Sequence, residues 1–205
     1  MKAPISLIFI LFLFSSCQPI MMKMAGMNNI KSFDSLKYEE MAAELSSDYP
    51  GPKNSYAISD TAMLNYSALF DTTFQKNTFQ PIQLLYFKDK DLTSYHANCF
   101  APGINLKHLD WNTEGRFDQY IPKSAVDLEK YSIGLDQLIN AIQIPVDQNK
   151  ILNKDVVVFF WTRMVPISAK DLNEIMVKNA TAFTKDNLPY VIYLNTDKFM
   201  SKADY

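Results

Sequence analysis

Residues 155–161, DVVVFFW, place apolar side chains on consecutive positions, and 189–195, PYVIYLN, do so again. A strand that alternates buries one face; one that is apolar throughout must be covered on both, as in the middle of a sheet. Between the two runs, Ser168-Ala169-Lys170-Asp171 has the form of a capping box with Asp in place of the usual Glu, and predicts a helix from there to about Phe183. Strand, helix, strand at this spacing requires a right-handed parallel crossover. The chain is therefore expected to fold as one α/β domain over 34–205, with a mixed sheet, N-terminal helices, two β-hairpins and a C-terminal βαβ unit.

The earlier residues supply the remaining pieces. A helix is predicted over 34–47, with Leu36, Met41 and Leu45 on one stripe and Asp34 or Ser35 as cap, stopped by Tyr49-Pro50-Gly51-Pro52. A second begins at Asp60, taken as its cap, with Met63, Leu64, Leu69 and Phe70 on the buried side. PIQLLYF (81–87), a KDKD turn and LTSYHANCF (92–100) read as one hairpin. LKHLDW and RFDQYI around Asn112-Thr113-Glu114-Gly115 read as another, with Gly115 at positive φ. SIGLDQLINAI (132–142) is helical, its apolar face formed by Leu135, Leu138, Ile139 and Ile142.

The first 16 residues form a targeting segment. Lys2 is followed by an apolar run from Ile5 to Phe14, ten residues long. Crossing a bilayer takes about 20, so the run suits a signal rather than a span. Leu13-Phe14-Ser15-Ser16-Cys17 resembles the lipobox of bacterial lipoproteins, with Phe14 where Leu is usual. That resemblance implies cleavage before Cys17, lipidation of Cys17, and a tether over 17–33. Gln18, with no acidic cluster at 19–22, implies an outer-membrane anchor facing the periplasm. With Cys17 lipidated, Cys99 is left without a disulfide partner. The competing reading is a plain secretory signal cut near Ser16.

Charge narrows the partners. Against 20 Lys and Arg stand 22 Asp and Glu, a net −2 with no basic block. Nucleic acid and anionic lipid both need a concentrated basic face and are disfavoured. What remains is a membrane reached through a lipid anchor, and an envelope protein as partner.

Four groups of residues invite a chemical reading. His96, Cys99, His108 and Asp110 form the one close gathering of metal-type side chains, suited to zinc or copper, although strand alternation puts 96 and 99 on opposite faces. The structural alternative is a buried Cys and two ordinary histidines. Met21, Met22, Met24 and Met27 offer soft thioethers to Cu(I), or are flexible filler in a tether. Residues 110–118 resemble the calcium loop of EF-hands at Asp110, Asn112, Glu114, Gly115 and Asp118, but Ile121 stands where that loop requires a bidentate carboxylate. Asp34-Ser35-Leu36, Asp60-Thr61-Ala62 and Asp71-Thr72-Thr73 resemble an O-glycosylation sequence of exported Gram-negative proteins, which implies sugars on Ser35, Thr61 and Thr72. Asp-Ser and Asp-Thr pairs also make good helix caps.

Over 155–195 the VVVFFW strand, loop and helix resemble thioredoxin-like proteins. Where that family carries Cys-x-x-Cys, this chain has Thr162-Arg163-Met164-Val165-Pro166, so the resemblance implies a fold without the redox chemistry. The family's later hairpin would have to come from the earlier part of the chain. No complete catalytic motif is present. The expectation is a non-enzymatic envelope lipoprotein acting as a binding or accessory subunit with no cofactor. A periplasmic copper or zinc protein and a redox-inactive thioredoxin-like protein are the alternatives, the last requiring Arg163 or Cys99 to line a pocket beside Trp161.

Overall fold

The computed structural model describes residues 26–98, 108–184 and 187–202. In chain order these form α1 (Ser35–Ser47), β1 (Lys53–Ala57), α2 (Asp60–Ser67), α3 (Thr72–Thr78), β2 (Gln83–Lys88), β3 (Asp91–Ala97), α4 (Leu135–Ile142), α5 (Gln148–Ile151), β4 (Val156–Trp161), α6 (Pro166–Phe183), β5 (Tyr190–Asn195) and α7 (Asp197–Met200). The strands make one mixed five-stranded sheet in the order β1-β5-β4-β2-β3. β1, β5 and β4 run parallel, with Lys53 opposite Val191 and Val156 opposite Tyr190, while β2 lies antiparallel to both β4 and β3. This is the expected α/β class, with the βαβ unit β4-α6-β5 at its centre.

Every residue of β4 and of β5 is buried, because helices cover both faces of the sheet. Val156, Val158, Phe160, Ile192 and Leu194 point into a core shared with α2, α3 and α4. Val157, Phe159, Trp161, Val191 and Tyr193 point into a second core beneath α1 and α6. At about 25 cal/mol per Å² of apolar surface, these two layers are the main source of stability. On the α1/α6 side the polar end of Tyr193 also finds a partner. The Tyr193 hydroxyl donates to Asn173 Oδ1 at 3.1 Å, and Asn173 Nδ2 reaches the Leu45 carbonyl at 2.8 Å, which ties β5, α6 and α1 together.

Local chemistry accounts for the helix and turn limits, and in places moves them from where the pattern alone puts them. Asp34 caps α1 by accepting from Lys37 N at 3.2 Å, and Asp71 caps α3 by accepting from Phe74 N at 2.9 Å. The cap of α2 is Ser59, which accepts from Ala62 N at 3.1 Å, and not Asp60. Leu36 and Leu64, expected inside, are 75% and 54% exposed, since the buried stripe of α2 runs through Ala62, Met63 and Tyr66. α6 begins two residues before the predicted box, with Pro166 at the first turn where its missing N–H costs nothing. The β2–β3 hairpin closes through Asp89 and Lys90, both at positive φ, as a tight two-residue turn requires.

The second predicted hairpin is absent among the described residues. Described residues from 108 to 125 form turns around a short 3₁₀ segment, Thr113–Gly115. Trp111 and Phe117 both enter the α1/α6 core rather than facing a partner strand. Gly115 does take the positive φ expected of it, +67°.

Candidate functional site

Three parallel strands end at one edge of the sheet, and each continues toward a helix: β4 past Trp161 to α6, β5 past Asn195 to α7, and β1 past Ala57 to α2. Sheets of this kind hold their ligands at that edge, where loops are free to vary over a rigid base. The β4–α6 loop is fixed there by Asp197, which is fully buried. Its Oδ1 accepts from Thr162 Oγ1 at 2.7 Å and from Arg163 N at 2.8 Å, and its Oδ2 receives Arg163 Nε. The guanidinium is thereby aimed outward, and its Nη2 reaches the Ser32 carbonyl at 3.4 Å.

A segment from the N-terminal side lies across this edge. Asn28 N donates to the Met164 carbonyl at 2.6 Å and Asn28 Nδ2 to the Arg163 carbonyl at 3.1 Å. Phe33 meets Tyr38, and Tyr38 stacks on Trp161 with ring centres 5.9 Å apart and planes within 9°. Lys198 Nζ sits 4.9 Å from the centre of the Phe33 ring.

Cavities open on either side of this strap. One, of about 650 Å³, lies between Lys37, Met41 and Glu44 of α1, Lys170 of α6, and Arg163. Two ion pairs lie in its walls: Lys170 of α6 to Glu44 of α1 at 2.5 Å, and Lys37 to Asp34, three residues before it, at 3.8 Å. The Asp34 carboxyl is held below its ordinary range, first by the Lys37 N–H it caps. Neither a histidine nor a cysteine is among its described lining residues, and its walls are made of charged side chains and amides around Met41 and Pro166. The other cavity, about 470 Å³, is bounded by Lys31, Phe33, Asp60, Lys198 and Lys202.

The histidines lie elsewhere. His96 is buried on β3, shares a hydrogen bond with Ser94 Oγ at 3.1 Å and packs 4.6 Å from the Phe117 ring. Burial, then the nearby Arg116 charge, pushes its pKa down to about 3, so it stays neutral. His108 is exposed and bonds Asp171 of α6 at 2.8 Å. Among the described residues no three or more His, Cys, Asp or Glu are gathered as a metal site would need. Cys17, Cys99, Met21, Met22 and Met24 lie outside the described residues, and Met27 packs against the α1/α6 core.

The oxygens of the calcium-like loop are used on one another: Asn112 Oδ1 accepts from Phe117 N at 2.7 Å, and Asn112 Nδ2 donates to Asp118 Oδ1 at 3.0 Å. The backbone carbonyl of Asp110 accepts from Thr113 Oγ1 at 3.0 Å. Ser35, Thr61 and Thr72 are all exposed, each within the first two residues of a helix. Asp34 and Asp71 serve as caps there, which is the structural role their sequence context also suggested.

Sequence reasoning did not find Asp197 or Asn28. Asp197 is 35 positions from the hydroxyl it holds, and its only local signal is a carboxylate placed directly after an apolar strand. No family model, no curated protein and no solved structure matches the chain. No helix among the described residues is long and apolar enough to cross a membrane.

Proposed function

We propose that the protein is a lipoprotein held through Cys17 at the periplasmic side of the outer membrane, and that it acts as a non-enzymatic binding or accessory subunit. Its ligand or partner is received at the carboxyl end of β4, in the cavity between α1 and α6. One observation carries this reading: the cavity sits on the rigid end of the central strand over Arg163, and its described walls hold paired charges and amides but no His or Cys. Such a wall orients a polar partner.

The test is site-specific photo-cross-linking in the native envelope, with the reactive side chain at Lys37 or Lys170 and a control at Leu152 on the opposite edge. A discrete adduct from the cavity positions alone is expected. Equal or absent capture at all three refutes the assignment of the cavity.

A redox-inactive thioredoxin-like protein is the second reading, and it is compatible with the first. It is favoured by the place of the β2–β3 hairpin, which lies against β4 on the side away from β5 although it precedes the βαβ unit in the chain. This supplies the hairpin the resemblance calls for, in another chain order. With Thr162 to Pro166 in the loop, such a protein binds rather than exchanges thiols. The copper or zinc reading is tested by elemental analysis of the protein as isolated: stoichiometric metal, lost on Cys99→Ala or on changing Met21, Met22, Met24 and Met27 to Leu, would replace the binding-subunit reading.

A further inference from the structure

The two outer strands of the sheet are finished differently. β3 is covered by the chain itself: Leu92 N donates to the Ile133 carbonyl at 3.0 Å, Ala125 N to the Tyr95 carbonyl at 3.0 Å, and Tyr95 N to Ser124 Oγ at 3.2 Å. β1 has β5 on one side and, among the described residues, nothing hydrogen-bonded to its backbone on the other. Val191 N donates to the Pro52 carbonyl at 3.0 Å and Ile58 N to the Asn195 carbonyl at 3.1 Å, so the even-numbered residues turn their main-chain groups to β5. Lys53, Ser55 and Ala57 therefore turn theirs outward, by the alternation of a parallel ladder. Folded proteins guard such an edge with charges, prolines or bulges. Here the polar side chains that could do so are held back against the body. Lys53 Nζ donates to the Tyr49 carbonyl, Asn54 Nδ2 to Tyr56 Oη at 2.8 Å, and Tyr56 Oη to the Pro145 carbonyl at 3.2 Å.

We infer that the open edge of β1 pairs with the same edge of a second copy, antiparallel about a two-fold axis at Ser55. The outward residues are symmetric about that position. Ser55 meets the Ser55 of the other copy, and Lys53 meets Ala57 in both directions, so each facing pair exchanges two main-chain hydrogen bonds. The one charge of the strand falls opposite a methyl group; no like charges confront each other, and the strand is its own complement. Because β3 is covered, the joined sheet has no second open edge of this kind among the described residues, and the assembly closes at two copies. So short a ladder falls below the roughly 1,200 Å² that stable complexes bury, which makes the association reversible. The inference is independent of what the cavity between α1 and α6 receives.

The experiment is amide hydrogen exchange by NMR on the full isotope-labelled protein in neutral detergent, with sedimentation equilibrium on the same samples, from about 10 μM to about 1 mM, the range of a weak interface. The protein mass is expected to double toward the upper end. Exchange at Ser55 and Ala57 should slow with it, by about tenfold, while Asn54 and Tyr56, already bonded to β5, stay unchanged. Ser55→Pro removes an outward N–H that no described residue uses, and proline is tolerated at such a position of an edge strand. It should keep the Tm of the unaltered protein and weaken dimerisation by at least about tenfold, since one bond from each copy is lost. A single-copy mass at every concentration overturns the inference and leaves the edge to an extended segment of another protein. A doubled mass with Ser55 and Ala57 exchanging as before, or undiminished in a folded Ser55→Pro variant, puts the contact on another surface and overturns it as well. If Ser55→Pro does not fold, the exchange at Ser55 and Ala57 in the unaltered protein decides alone.

Discussion

Replacing Asp197 by Ala removes one carboxylate and breaks three hydrogen bonds, to Thr162 Oγ1, Arg163 N and Arg163 Nε. The Asp197 side chain is fully buried and that of Arg163 only 14% exposed, so the pair is not a screened surface bridge. Removing one partner of a buried pair costs about 3–5 kcal/mol, because the remaining charge and hydroxyl stay desolvated and unpaired. Arg163 still reaches the strap and its solvent through Nη2, which places the loss at the low end, about 3 kcal/mol. For a chain of this size that corresponds to a fall in Tm of about 6–12 °C. Urea unfolding followed by tryptophan fluorescence measures it, since Trp111 and Trp161 are both buried. Asp197→Asn keeps an acceptor for Thr162 and the Arg163 N–H but gives up the charge, and should lose roughly half as much. A loss under about 1 kcal/mol for Asp197→Ala, the range of exposed ion pairs, would refute the argument that this carboxylate holds the β4–α6 loop.

His96 titrates near 3 in the folded protein and near 6.5 when unfolded, so between those values the unfolded chain binds the extra proton. Its contribution is fully present above pH 6.5 and is lost as pH falls toward 3, by about 5 kcal/mol at most. His96→Gln should flatten the denaturant midpoint between pH 7 and 4.5, and an unchanged slope would show the imidazole is not the group responsible. Gly115→Ala should cost about 1–2 kcal/mol in thermal unfolding, because the new Cβ meets Asp118 Oδ2 at 2.5 Å on a backbone at φ +67°; a neutral result would mean the loop readjusts freely. Cys17→Ser should move the protein from the membrane to the soluble envelope fraction, and retention with membranes would dismiss the anchor. Intact mass equal to that of the unmodified acylated chain would remove sugars from Ser35, Thr61 and Thr72.

The central unit was legible because burial on both faces leaves no choice of side: VVVFFW and YVIYLN have the same meaning in sequence and in space. The hairpin at Asp89 and Lys90 was legible because polar residues interrupt two apolar runs of strand length. The turn at 112–115 misled for a physical reason. A tight turn is set locally, by Gly115 and the Asn112 carboxamide, but the strands beside it need partners, and Trp111 and Phe117 gain more by both entering one core. Leu64 shows the limit of reading a stripe one residue wide, because in a helix its neighbour Met63 lies about 100° away and takes the buried place. The site was harder still. Arg163 was flagged beside Trp161, but the carboxylate that aims it, the amide of Asn28 and the lysines of the strap face come together only when distant segments meet.

The order of the sheet also governs when the protein is able to exist as a folded body. β1 pairs with β5 alone, and β2 reaches the rest of the sheet only through β4, so the two strands that everything else leans on are the last two made. Until residues 156–195 have emerged, the helices and edge strands ahead of them have no surface to cover, and closing such long loops comes late in folding. A chain arranged in this way has no complete sheet to settle into until its last strand has been made.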